Sequence, residues 1–388
     1  MSLKKEQKVL LSLLKEIDNL CLKHKIDYYL SPRLTLCAVT GRAFPENPLY
    51  GVVLMKTDDM ERFRQIVQDA PGEGRALESM KNHKWFPGFY LRYEDTNTLF
   101  LNVGEGRDYA HSSLGINIFP LRSKIQNKAR REKENFWEEG WLRLCDDPSV
   151  KNMNSKSRRA ERLLRLRCLT GQGKVAAQLY DNFCKHQGGR ESKNYVLKRR
   201  KQTITYSRKI FESSTRVMLE GEKFSVPART DDYLKASYGK NYKDSPEPCY
   251  VQQPHVIFSA RVSGDELLAE MNGTQRFFRD FLSVSRVNKK IRGFKTYANE
   301  CWEYASFCAE RMNLGADYER RKGYIKNLYK NEDYLRLEEE FRRYSDVMNK
   351  SLDRGELFAE DEEIFDIYVD VLSKTGKMVQ KEKIDRLI

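Results

Sequence analysis

An α+β fold, with a small mixed sheet flanked by helices and then an all-helical extension, is expected from three observations. The first 260 or so residues alternate helix-period and strand-period segments, the hydrophobic period settles at 3.6 from about Asp265 onward, and no proline follows Pro254. At 388 residues with 40% hydrophobic content, the chain can fill a core and exceeds an ordinary single domain. The expected division is residues 1–264, carrying a basic helical insertion over about 122–209, and a helical domain over 265–388.

The first element is an amphipathic helix. Leu10, Leu13, Leu14, Ile17, Leu20 and Cys21 recur at three- and four-residue spacing and lead into a strand over Asp27 to Leu30. His24 falls on its polar side. Further along, Arg216 to Val226 reads as a hairpin turning at Glu220-Gly221-Glu222, because glycine between two alternating runs supplies a positive φ. Pro227 ends its second strand, and Asp231 and Asp232 then cap a short helix that stops at Gly239. In the extension, Ala298, Cys301, Trp302, Ala305, Cys308, Ala309 and Met312 form one helical stripe. Tyr334, Leu337, Phe341, Tyr344 and Met348 form another. Four to six helices are expected, with breaks at Gly315, Gly355 and Gly376. Both stripes read as core, and no repeat of fixed period is sustained.

Charge and thiols narrow the function. The net charge is +14, and the stretch from Arg122 to Lys209 holds 24 Lys and Arg against 9 Asp and Glu, so it accounts for the whole imbalance. Within it, Arg158, Arg159, Arg162 and Arg165 surround Ala160, Leu163 and Leu164 on one helix, and Lys198, Arg199, Arg200 and Lys201 make a second cluster. Such a patch seeks polyanions. The eight cysteines contain no Cys-x-x-Cys pair and the five histidines no His-x-x-x-His pair, which argues for reduced thiols and against a zinc site. Charges interrupt the N-terminal apolar run, so no secretion signal is expected, and no apolar run approaches the roughly 18 residues of a membrane span. A cytoplasmic protein, peripheral at the inner membrane face, is the expectation.

The segment LSPRLTLCAVTGRAFPENPLYGVVLMKTDDMERF, from Leu30 to Phe63, resembles the LicD/fukutin family. There the stretch reads roughly Gly-Thr-Leu-Leu-Gly-Ala-Val-Arg, then Gly-Phe-Ile-Pro-Trp, then three Asp, Ile and another Asp. Ala38, Val39, Phe44, Met55, Asp59 and Glu61-Arg62-Phe63 fall on family-type positions. Three further blocks are similar in family order: the opening helix, Arg92 to Thr98, and Phe211 to Gly239. The likeness spans roughly residues 8 to 260. It implies a nucleotidyltransferase-like sheet and a place in cell-surface glycan decoration, where relatives move phosphocholine or a similar group from a CDP-linked donor.

At the four acidic positions, however, this chain has Pro48, Leu49, Tyr50 and Val52. Asn117 replaces the acid of the later Ile-Asp-Ile-Phe-Pro-Leu strand, and Ser31-Pro32-Arg33 replaces the glycine turn that lets amides reach phosphate. Carboxylates hold Mg²⁺ in such transfers, and proline, leucine and valine cannot ligate a hard cation. The resemblance therefore implies a divergent member that binds a CDP-linked donor, a glycan or an active paralogue without cofactor or metal-dependent transfer of its own. The alternative is an active, Mg²⁺-using phosphotransferase with a rearranged site, drawing its acids from Glu46, Asp58, Asp59, Glu94 and Asp95, with Ser31, Arg33 and Arg42 near the donor phosphates. Asp58 and Asp59 also suit the start of a helix. The basic stretch adds an anionic membrane surface as a partner, and a nucleic-acid-binding module is the remaining alternative.

Overall fold

The computed structural model describes residues 3–45, 51–83, 85–102, 113–145, 155–187, 192–199, 202–244, 256–272 and 294–388. Helix α1 (Lys5–His24) buries Leu10, Leu13, Leu14, Ile17 and Cys21, the face its periodicity marks. It is followed by β1 (Tyr28–Leu30), α2 (Pro32–Thr40), β2 (Val52–Lys56), α3 (Thr57–Gln68), β3 (Arg75–Glu78), β4 (Leu91–Asp95), β5 (Leu99–Asn102) and β6 (Leu114–Ser123). Helices α4 (Lys128–Leu144), α5 (Ser155–Cys168) and α6 (Gln172–Gln187) come next, then β7 (Asn194–Arg199) and β8 (Gln202–Ser207). Strands β9 (Ser214–Leu219) and β10 (Glu222–Pro227), α7 (Thr230–Tyr238) and β11 (Val256–Ser259) complete this part.

The main sheet has the order β1-β2-β6-β4-β3, antiparallel except for the parallel pair β2 and β6. The last two residues of β6 pair with β7, which carries β8. Alternation along the strands sends Val53, Met55, Leu91, Tyr93, Ile116 and Ile118 into the larger core, shared with α1, α3, α4 and α6. The opposite face sends Tyr29, Val52, Leu54 and Leu121 into a second cluster. Phe211 lies at its centre, with Tyr29, Tyr195, Tyr206 and Tyr233 edge-on at ring distances of 5.0 to 5.8 Å. Their hydroxyls are used as well: Tyr29 donates to the Phe211 carbonyl at 3.1 Å and Tyr233 to that of Leu30 at 3.0 Å.

Several expectations are met and several are corrected. The fold is α+β, and the β9–β10 hairpin has the two-residue turn Glu220-Gly221, both at positive φ (51° and 82°). Asp231 and Asp232 lie inside the first turn of α7 instead of capping it; Thr230 bonds back to the Pro227 carbonyl at 2.7 Å, and Asp231 accepts from Tyr242. The stretch 122–209 is not wholly helical, because its end forms β7 and β8 as a hairpin on the sheet. Its helices also complete the main core through Trp141, Leu164, Tyr180 and Phe183.

The extension is helical, as expected: α8 (Gly264–Asn272), α9 (Phe294–Lys330), α10 (Tyr334–Glu340), α11 (Arg342–Leu352), α12 (Glu362–Lys374) and α13 (Met378–Asp385). Gly355 and Gly376 take positive φ at breaks, but α9 runs straight through Gly315. That glycine instead allows close approach, since a Cβ there would stand 3.0 Å from Glu360 Cβ. The second predicted stripe buries Leu337, Phe341, Tyr344 and Met348 in a separate core with Tyr318, Phe358 and Tyr368. Helix α9 also reaches the first region, where Ser259 donates to Asn313 at 2.7 Å and Arg261 pairs with Asp317.

Candidate functional site

Two of the degenerate positions, Val52 and Asn117, meet on adjacent strands. Val52 opens β2 and is the register partner of Asn117 on β6; Asn117 is the partner of Arg92 on β4, and Arg92 that of Glu78 on β3. Register partners project to one face, so these four side chains form a row across the sheet. The Asn117 amide donates to the Gly51 carbonyl at 2.9 Å and the Ser31 amide to that of Val52 at 3.1 Å, which fixes the turn after β1 beside this row. Glu46, Pro48, Leu49 and Tyr50 lie outside the described residues.

Arg92 is the centre of the arrangement. It is buried, donates from Nη1 to Asn117 Oδ1 at 3.1 Å and from Nη2 to the Ser113 carbonyl at 2.6 Å, and lies 5.4 Å above the Phe100 ring. Its Nε stands 3.7 Å from Glu94 Oε2. Gly115 makes room for this guanidinium: a Cβ there would meet Arg92 Nε at 3.1 Å and the Tyr93 carbonyl at 2.9 Å. Glu94, also buried, shares the face of Arg92 because strands alternate every two residues. Burial first, then the charge of Glu78, push its carboxyl well above the usual carboxylate range, against the pull of Arg92. The site is thus a buried Arg92-Glu94 pair with a half-buried carboxyl, Glu78, and a half-buried amide, Asn117.

The other sequence candidates do not converge on it. Asp95 alternates to the far face and pairs with Arg75 at 3.1 Å, while Arg75 also grips Glu16 with two bonds of 2.7 Å. Asp58 and Asp59 occupy the first turn of α3, at the opposite end of β2 from Val52. Burial, then the Asp27 charge, raise the Asp59 carboxyl. Ser31 caps α2 by accepting from the Leu34 amide at 3.4 Å. Arg33 is buried in the first turn of α2, whereas Arg42 lies beyond its far end and donates to the Lys243 carbonyl at 3.0 Å. The two arginines thus stand at opposite ends of α2, whose nine residues span roughly 13 Å, so they do not form one phosphate cradle.

The basic clusters also part company. Arg158, Arg159, Arg162 and Arg165 are exposed on α5, with Arg165 paired to Glu161 at 2.8 Å. Lys198 is not a surface cation; it binds Glu138 at 2.7 Å, and Glu138 also takes two bonds from Arg122 at 2.8 and 2.9 Å. Arg199 belongs to β7, and Arg200 and Lys201 lie outside the described residues.

A divalent cation does not fit the described part of the row. Val52 has no donor, and the Asn117 oxygen is engaged by a guanidinium. Among the described residues no three His, Cys, Asp or Glu side chains gather as a metal group. No helix among them is long and apolar enough to cross a membrane. What the fold and site define is an α+β protein with a helical extension and a buried Arg-carboxyl group on its sheet. No family model, no curated protein and no solved structure matches the chain.

In the sequence Arg92 stands out only as part of a strand similar to the family's. The signal was there: Arg92 and Glu94 are two residues apart in a strand, and therefore on one face.

Proposed function

We propose that this chain is a divergent LicD/fukutin-type protein of cell-surface glycan phospho-decoration that acts as a binding or partner subunit and does not itself carry out metal-dependent transfer. Its sheet is read as nucleotidyltransferase-like. One observation carries the proposal: Val52, Asn117 and Arg92 are consecutive register partners, so the two described positions where the resemblance expects carboxylates, Val52 and Asn117, lie together on one face beside a fixed guanidinium. In a transferase, paired carboxylates bind a cation that neutralises donor phosphates. Here the cation is part of the chain. Arg92 is held by hydrogen bonds to Asn117 and Ser113 and faces Glu94 at 3.7 Å, so its charge is directed within the fold. The ligand is a CDP-linked donor or the glycan it decorates, and the protein partner is an active paralogue at the inner membrane face.

Titration calorimetry with CDP-choline, CTP and CDP-ribitol, with and without Mg²⁺, tests this. Binding of one of them with the same affinity in both conditions is expected. Mg²⁺-dependent binding, or turnover of the donor, would sink the proposal and favour transfer through the rearranged carboxyls Glu78 and Glu94.

A further inference from the structure

Helix α5 has two working faces. Ser157, Ala160 and Leu164 are buried against α4 and α6, and Glu161 turns to Arg143 at 3.0 Å. A helix on a protein surface normally presents a polar opposite face. This one presents Leu163, Leu166 and Leu169, exposed by 40, 64 and 82%. Recurring every three residues, they form a ridge along the helix and its C-terminal turn. Lys156, Arg159, Arg162 and Arg165, also three apart, run as a parallel row beside the ridge, with Arg158 next to that row, all exposed. Glu161 is the helix's sole acid, half-buried between Arg143 at 3.0 Å and Arg165 at 2.8 Å.

We propose that α5 docks on an anionic phospholipid surface, with its leucine ridge inserted below the headgroups and its arginines at the lipid phosphates. The chemistry favours lipid over other polyanions. Leucines gain from burial at the acyl boundary, and long basic side chains flanking them can reach the phosphate level while their stems remain apolar. A nucleic acid would engage the arginines and leave the three leucines without a partner. The charge is of one sign, as an anionic leaflet requires. This surface is separate from the strand row described above, and its test uses no nucleotide or sugar.

The full chain is co-sedimented with vesicles of phosphatidylglycerol mixed into phosphatidylcholine, and with phosphatidylcholine alone. Binding to the anionic vesicles only, falling with salt, is expected. The variant Leu163→Gln/Leu166→Gln/Leu169→Gln should lose roughly tenfold or more of that binding, since each leucine contributes buried apolar area. Its retention on a heparin column should stay unchanged. The variant Arg158→Gln/Arg162→Gln/Arg165→Gln should lose both. Melting temperatures check that these exposed substitutions leave the fold intact. Vesicle binding by the leucine variant equal to the parent's would overturn the proposal and leave a charge-only polyanion surface. So would equal binding to neutral vesicles, or no binding to anionic ones.

Discussion

Glu94 illustrates how the buried group shapes stability. Its folded-state pKa lies above its ordinary value of 4.5, so the folded protein holds a proton that the unfolded chain releases. That contribution is full below the ordinary value and is lost as pH rises through the folded one. Glu94→Gln should therefore raise the melting temperature by a few degrees near neutral pH and have little effect in mild acid, as a calorimetric pH series would show. Glu138 behaves in the opposite sense. Against its burial, the charges of Arg122 and Lys198 hold it down to about 2, so its contribution is present above 4.5 and lost as pH falls toward 2. Glu138→Gln leaves two cations without their partner and should cost roughly 3–5 kcal/mol at neutral pH, measured by urea unfolding. At the strand row, Val52→Asp/Asn117→Asp should bind Mn²⁺ no better than the parent. Arg92 stands 3.1 Å from the Asn117 oxygen and would pair with the new carboxylate first. Calorimetric Mn²⁺ binding by that variant would show that the guanidinium does not hold the site.

Helix α5 is placed by a contact that periodicity does not reveal. A Cβ on Gly140 of α4 would stand 2.5 Å from Ala160 Cβ and 2.9 Å from the Ala160 backbone, so the two helices touch nearly backbone to backbone. Gly140→Ala should cost roughly 1–3 kcal/mol despite the helix propensity it adds, because the crossing must open. A thermal melt higher than the parent's would contradict this. Local patterns were legible where one face is buried: the α1 stripe, the Glu220-Gly221 turn and the Leu337-to-Met348 stripe all follow alternation or helical period. What sequence misread depends on long-range contact. Residues 194–207 lie within the stretch expected as a basic helical insertion, yet they pair with the end of β6, and Lys198 is drawn to Glu138, 60 positions earlier. Gly315 looked like a break because its role, admitting Glu360, is set by a distant segment. The candidate site was half legible. Its degenerate positions came from the resemblance, but Arg92 at their centre required the register of three strands.

Helix α9 belongs to the core of the extension and also packs on β11 and α8, and this determines what can be separated. Its first half sends Ala305 and Cys308 into buried positions near β11 and α8, while its second half sends Leu314, Tyr318 and Ile325 into the core of the extension. That second core is aromatic and internally bonded: Phe341 stacks on Tyr318 at 5.6 Å, Tyr344 lies 4.6 Å from both Phe358 and Tyr368, and its hydroxyl donates to the Phe358 carbonyl. Ion pairs tie its loops to α9, with Arg311 to Glu356 at 2.8 Å and Lys322 to Asp361 at 2.8 Å. A fragment of residues 305–388 keeps all of these but loses every contact with β11 and α8, including Ser259 to Asn313 and Arg261 to Asp317. A single core of about 80 residues is near the lower limit for independent stability, so the fragment should melt lower than the full chain. It should nonetheless be helical by circular dichroism and unfold in one cooperative step. Phe341→Ala, which removes the ring shared by Tyr318, Tyr344 and Tyr368, should abolish that step at a cost of roughly 3–5 kcal/mol. A fragment without a cooperative transition, at a concentration where the full chain has one, would mean that the extension folds only against the first core.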